Sequence, residues 1–129
     1  MSKGMKQLLA EANAAVDAVT VDHARQYLGK TAVAFVDVRE SSERAKGHIP
    51  GSIHVPRGFL EFMADPESPM HNPVFSSGKR LVLYCASGGR SALAGKTLQD
   101  MGITNVANLT GGMSAWSQEG GDVDTQERG

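Results

Sequence analysis

Residues 80–91 read Arg-Leu-Val-Leu-Tyr-Cys-Ala-Ser-Gly-Gly-Arg-Ser. After Arg80, Leu81–Tyr84 form an apolar run, and the five residues together have the length and pattern of a strand buried on both faces, as in parallel sheets. Two adjacent glycines then break the chain. From Arg90 to Met101 a helical period takes over, with Ala92, Leu93, Leu98 and Met101 inward and Gly102 as its stop. Strand, tight loop and helix in immediate succession are the repeating unit of an α/β fold.

Working outward, the same rhythm recurs. Ala32–Val36 is a second continuous apolar run, closed by Asp37, and Ser52–Val55 and Asn105–Leu109 read as shorter strands. Thr20 is placed to cap a helix that runs to Leu28 and stops at Gly29. Glu40–Lys46 supplies one or two helical turns, and Gly47-His-Ile-Pro-Gly51 a turn. Residues 58–64 suit a short helix ended by Asp65-Pro66, followed by a proline-rich loop over 65–79. After the turn Thr110-Gly-Gly112, a last short helix carries Met113 and Trp116 inward. The alternation predicts a mainly parallel sheet with right-handed crossovers. Ahead of it, residues 3–18 form an amphipathic helix with Leu8, Leu9, Ala12, Val16 and Val19 as its docking face. The expected organisation is a helical extension over 1–19, one domain over 20–118 and a polar, Gly-rich tail over 119–129 that frays.

Composition narrows the function. At 129 residues, with 40% hydrophobic and 21% charged residues, the chain has the balance of one folded domain. Thirteen Lys+Arg against 14 Asp+Glu leave a net charge of -1, so no broad basic field is available for nucleic acid or a membrane surface. No stretch offers the ~20 apolar residues of a membrane span, and Glu11 and Asp17 interrupt anything resembling an export signal. The one cysteine excludes an intrachain disulfide and a Cys-cluster zinc site. A free thiol without an export signal is expected in a reducing, cytoplasmic setting.

That cysteine, Cys85, follows the strand at the end where parallel α/β sheets place their ligands. The turn through Ala86, Ser87, Gly88 and Gly89 into a helix starting near Arg90 lets successive backbone N–H groups converge on one point. Arg90 and the hydroxyls of Ser87 and Ser91 are candidate additional donors. Such a setting lowers a thiol from its free value of ~8.5 and also favours an anion attached to the sulfur. Cys85 is therefore a candidate nucleophile, with a buried structural cysteine as the alternative. Phosphatase loops place five residues between Cys and Arg; here four intervene, so a tighter ring suited to a single sulfur atom is expected.

The segment CASGGRS resembles the active loop of rhodanese-type sulfurtransferases. FVDVRE with GHIPGSIHVP resembles that family's first signature, and NLTGGMSAW its last, in the same order between about Thr20 and Trp116. The resemblance implies a three-layer α/β sandwich around a five-stranded parallel sheet. It also implies transfer of sulfane sulfur through a persulfide on Cys85, with residues 86–91 as substrate cradle. A sulfur donor such as thiosulfate or a persulfide is implied, with cyanide, a small thiol or a thiol-bearing protein as acceptor and no cofactor or metal. A Cys-dependent phosphatase or arsenate reductase, and a non-catalytic binding module, are the competing readings.

Other residues are given plainer roles. Asp37 and Arg39 are pocket candidates, but a structural arrangement is favoured, with Arg39 on Glu40 or Glu43 and Asp37 accepting backbone hydrogen bonds. His23, His48, His54 and His71 lack metal-ligand spacing, and His48 is expected to be hydrogen-bonded within its turn. Trp116 is assigned to the core; Phe59, Phe62 and Met63 are either core or the rim of a docking surface.

Overall fold

Along the decisive strand, Leu81, Leu83 and Cys85 pack into one apolar layer while Val82 and Tyr84 pack into another. This is the period-two alternation of a strand covered on both faces. A computed structural model describes residues 2–127 and shows how the layers are made. Five strands form one sheet: β1 (Asp17–Val19), β2 (Val33–Asp37), β3 (Ile53–His54), β4 (Arg80–Tyr84) and β5 (Val106–Leu109). They lie in the order β1-β5-β4-β2-β3, and every pairing is parallel. The helices are α1 (Met5–Ala15), α2 (Val21–Arg25), α3 (Ser41–Ala45), α4 (Leu60–Ala64), α5 (Gly89–Asp100) and α6 (Gly112–Gln118). On one face Leu60 of α4 and Ala94 and Leu98 of α5 join Val36, Leu81 and Leu83. On the other, Ala24 of α2 and Met113 and Trp116 of α6 join Phe35, Val82 and Leu109. The three-layer sandwich is therefore as expected, and β4, which carries Cys85, is its central strand.

The N-terminal segment differs from the sequence reading. The leading helix ends at Ala15, and Val16 is already extended (φ -99°, ψ 131°). Asp17–Val19 then pairs in register with Ala107–Leu109 as the edge strand. The cause is the open edge of β5, together with β-branched residues at 16, 19 and 20 that favour extended chain. Val19 is buried through the sheet rather than through a helix face, and Leu8, assigned to the docking face, is 43% exposed. Ala12 and Val16 do dock, with Val16 against Gly95 of α5. Thr20 caps α2 as expected, accepting from the His23 amide.

The tail also departs from expectation. Trp116 Nε1 donates to the Asp122 carbonyl at 2.7 Å, and Gly121 lies so close to the indole that a side chain there would collide with it. His48 and Asp124 exchange both backbone hydrogen bonds at 2.8 Å, and Arg44 pairs with Glu127. Residues 121–127 thus strap the domain, because they satisfy backbone groups of the Gly47–Gly51 turn that would otherwise lack partners. Residues 128 and 129 lie outside the described residues. Phe59 and Phe62 are 50% and 57% exposed, so they are not core, whereas Met63 packs against it.

At the carboxyl end of β2 sits a fully buried anion. Asp37 accepts from the Arg39 amide (3.0 Å), from Nε and Nη2 of Arg39 (both 2.9 Å), from Arg44 Nη1 (3.2 Å) and from the Tyr84 hydroxyl (3.2 Å). Burial pushes its carboxyl up, but the Arg39 and Arg44 hydrogen bonds and charges pull it below the ordinary aspartate value. The same burial, with Asp37 beside it, pushes the Tyr84 phenol up to about 12. Arg39 also donates to the Gly47 carbonyl and Arg44 to Ser52, so this cluster ties β2, β4 and the turn before β3 together. Asp37→Ala would leave the buried Arg39 guanidinium without its anion and Arg44 with Glu127 alone. It is expected to cost about 3 kcal/mol or more of stability, read as a lowered urea midpoint.

Candidate active site

Cys85 follows β4 directly, and the chain turns at once into α5, with Gly88 at the N-cap in a left-handed conformation (φ 111°). The turn is held from outside. Two amides at the start of α6 reach across: Met113 N donates to the Cys85 carbonyl (2.8 Å) and Ser114 N to the Ala86 carbonyl (3.0 Å). The C=O and N–H of a trans peptide point in opposite directions. Drawing the Ala86 carbonyl outward therefore turns the Ser87 N–H inward. Gly112, at φ 58°, is where α6 meets the loop; a Cβ there would lie 2.5 Å from the Cys85 carbonyl oxygen. Only glycine allows this approach.

Inside the turn, Cys85 Sγ accepts from the Gly88 amide at 3.1 Å and lies 3.3 Å from Ser91 Oγ. Burial, with Cys85 only 1% exposed, pushes the thiol up; the Ser91 hydroxyl and the amides of Ser91, Gly88 and Ser87 more than offset it, so the thiol sits below its ordinary value. Ser91 Oγ is also 2.6 Å from Asn108 Oδ1, and Asn108 Nδ2 donates to the Gly88 carbonyl at 3.0 Å. These donors at the first turn of α5 add to the positive end of the helix dipole.

Of the residues singled out in the sequence, Cys85, Ser87, Gly88 and Ser91 converge on one point. Ala86 acts through its outward carbonyl, and Gly89 opens α5 with Leu9 of α1 beside it. Ser87 contributes its amide while its side chain stands exposed. Arg90 stands between Glu43 and Cys85. Its Nη1 and Nη2 donate to the two carboxylate oxygens of Glu43 on α3, at 2.9 and 2.8 Å, while its charge and a side-chain hydrogen bond also act on Cys85. Glu43, held by Arg90 and by the Glu40 amide, is pulled down to about 2. Glu43 thus belongs to Arg90, not to Arg39, which is bound to Asp37. Asp37 and Arg39 are buried scaffold, and Arg39 has its guanidinium engaged by Asp37 and Gly47. His48 is held through its backbone, while its buried Nδ1 has no partner among the described residues. His54 meets the Arg39 carbonyl and His71 the Ser76 hydroxyl. Among the described residues, no group of three or more His, Cys, Asp or Glu side chains is placed to hold a metal ion, and no helix is long and apolar enough to cross a membrane.

Three participants were not singled out in the sequence: Glu43 as partner of Arg90, Asn108 behind Ser91, and the α6 amides behind the loop. Each is remote in sequence from the residue it serves. The only local sign was the NLTGG stretch, which carries Asn108 and Gly112 together. A cleft of about 420 Å³ runs along the outer wall of the loop, between Leu9 and Asn13 of α1 and Ser87, Gly88 and Thr110.

A buried thiol at the end of the central parallel strand, ringed by amides at a helix start, defines a class of α/β domain built around one cysteine. The chain belongs to the Rhodanese-like domain family, matched over residues 20–119. It is 42% identical to the thiosulfate:glutathione sulfurtransferase of Saccharomyces cerevisiae over 95 residues, covering 70% of this chain and 68% of that protein. A solved Rhodopseudomonas palustris protein of unknown function, described as a possible tyrosine phosphatase, superposes with a TM-score of 0.92 at 43% identity, covering 96% of each chain. A human single-domain sulfurtransferase superposes with a TM-score of 0.68 at 26% identity, covering 81% of this chain and 97% of that one.

Two outcomes follow from the electrostatics. Alkylation of native Cys85 by iodoacetamide is expected to titrate with a midpoint below the free-thiol value of ~8.5; a midpoint at or above that value contradicts the donor geometry. Glu43, lowered from 4.5 to about 2, stabilises the fold fully above pH 4.5 and loses that contribution as pH falls through 2. Glu43→Gln is therefore expected to lose less stability than the native chain between pH 5 and pH 2, measured by urea unfolding.

Proposed function

We propose that this protein is a sulfurtransferase that carries sulfane sulfur from a donor such as thiosulfate, or a small persulfide, to a thiophilic acceptor through a persulfide on Cys85. The observation that carries the reading is the sulfur held by inward-facing amides at the start of α5, with its thiol lowered despite burial. The relative named thiosulfate:glutathione sulfurtransferase supports thiosulfate as donor and a small thiol as acceptor. Cyanide or a thiol-bearing protein would serve as acceptor by the same chemistry. A reducing, cytoplasmic compartment suits a nucleophile that works as a free thiolate.

In the first step the Cys85 thiolate attacks the outer sulfur of thiosulfate. A Cys85 S–S bond forms, the sulfur–sulfur bond of the donor breaks, and its electron pair leaves on sulfite. The loop amides then face the terminal sulfur, whose negative charge is compact and shielded from water. In the second step an acceptor thiolate attacks that terminal sulfur, the Cys85 thiolate leaves, and the acceptor departs as a persulfide. Neither step asks for a general base, because both nucleophiles are already ionised. Two half-reactions through one covalent intermediate give ping-pong kinetics.

The description of the Rhodopseudomonas palustris protein raises phosphoester hydrolysis as a second reading. Against it stand the four-residue interval between Cys85 and Arg90 and the engagement of Arg90 by Glu43 rather than by an open anion site. Intact mass separates the two. Incubation with thiosulfate is expected to add one sulfur atom to the native chain and none to Cys85→Ser. No adduct, together with turnover of an aryl phosphate, would overturn the sulfur-transfer reading. No adduct and no hydrolysis by the folded protein would favour a binding module.

A further inference from the structure

Ser91 has one hydroxyl hydrogen and two neighbours that ask for it. Its Oγ lies 3.3 Å from Cys85 Sγ and 2.6 Å from Asn108 Oδ1. A thiolate and a carboxamide oxygen both only accept, so the hydrogen serves one at a time. The carboxamide cannot resolve the conflict by turning over. Its other end lies 3.0 Å from the Gly88 carbonyl, which also only accepts, so Nδ2 must face Gly88 and Oδ1 must face Ser91. Ser91 is fully buried and Asn108 is 9% exposed, so water is a poor substitute for either partner.

We propose that Asn108 is a positioning residue that competes with Cys85 for the hydroxyl hydrogen of Ser91, and so sets how readily the thiol ionises. The proposal rests on the reading of Cys85 as nucleophile. In the protonated state the thiol donates to Ser91 Oγ, and Ser91 donates on to Asn108 Oδ1. On ionisation the thiol proton leaves to solvent, the Ser91 hydrogen rotates to Sγ, and Asn108 Oδ1 is left facing a lone pair. In the persulfide, Sγ is a neutral divalent sulfur and the charge has moved to the terminal atom. The Ser91 hydrogen then returns to Asn108. Asn108 thus opposes the bare thiolate without opposing the persulfide, which shifts the balance of the cycle toward the sulfur-loaded form.

The ionisable groups on the elements packed around Cys85 stay the same in the comparison that tests this. They are Arg90 of α5 with Glu43 of α3, Asp37 of β2 with Arg39, Arg44 and Tyr84, His54 of β3, and Glu61 of α4 with Arg57. Neither β5 nor α6 carries an acidic or basic residue.

The test is the pH dependence of iodoacetamide alkylation of Cys85 in the native chain, Asn108→Ala, Ser91→Ala and the double variant. Asn108→Ala is expected to lower the midpoint by about half to one pH unit, the equivalent of one neutral hydrogen bond. In the Ser91→Ala background the same substitution is expected to leave the midpoint where it was. Asn108→Asp, which keeps the acceptor and adds negative charge, is expected to raise it. A raised midpoint in Asn108→Ala, as loosening of the Gly88 turn would produce, overturns the proposal, as does a shift that persists without Ser91. Asn108→Val, which fills the strand position without a polar atom, is read by the same criteria if the alanine variant does not fold. The readout is thiol ionisation alone, so failure of sulfur transfer from thiosulfate and failure of this proposal are separate results.

Discussion

The direction of one peptide plane governs the site. Ser114 N, in the first turn of α6, holds the Ala86 carbonyl outward, and the N–H on the far side of that plane must face the sulfur. Met113 N holds the Cys85 carbonyl in the same way, and Gly112 lets the helix come close enough to do both. The loop is thus shaped less by its own sequence than by a helix that begins 27 residues beyond the cysteine. Its left-handed Gly88 completes the turn, and Asn108 fastens the Gly88 carbonyl from β5. With those anchors released, inward amides would have no reason to stay inward, because each would do as well bonded to water.

Those amides decide a close contest. Taking a thiolate out of water favours the neutral thiol, and Cys85 is almost wholly out of water. What reverses the balance is a set of uncharged donors at short range, assisted by the dipole of α5. The one cation in the loop is held by both oxygens of Glu43, which leaves the arginine close enough to act on the sulfur yet already neutralised as a pair. A neutral cradle of this kind favours a small, singly charged guest. A phosphoryl group held inside the loop would need the bidentate grip of the arginine, and here that grip is taken by a carboxylate.

Most of the fold was legible because buried parallel strands write themselves as continuous apolar runs. Val33–Asp37 and Arg80–Tyr84 lie within a residue of the ranges that hydrophobicity alone suggested. The edge strand was not legible: Asp17–Val19 is three residues long, its first two positions are exposed, and helical spacing absorbs it easily. The strap over residues 121–127 was hidden for a different reason. It is held by backbone bonds to the His48 turn and by the Trp116 indole, and a Gly-rich polar segment carries no sign of such partners. At the site, the cysteine and its glycines were legible because loop chemistry is local. Glu43 and Asn108 were not, since each acts across a sequence gap that no spacing rule bridges.

The two buried polar systems at this end of the sheet differ in one respect that separates scaffold from machinery. Around Asp37 both carboxylate oxygens face donors, Arg39 also donates to the Gly47 carbonyl, and Arg44 also donates to Ser52 and Glu127. The carboxylate gains nothing by moving, so the cluster holds the strand ends at fixed positions. Around Cys85 the count is one hydrogen short, with Ser91 shared between a sulfur and a carboxamide. A shortfall of that kind is costly in a static core, where it would be removed by an apolar substitution of similar shape. It has a use only where the charge on one acceptor comes and goes, because the hydrogen then follows the charge. Asp37 and Cys85 sit at the ends of neighbouring strands and are both buried; complete pairing fits the first to a structural task, and incomplete pairing fits the second to a reaction.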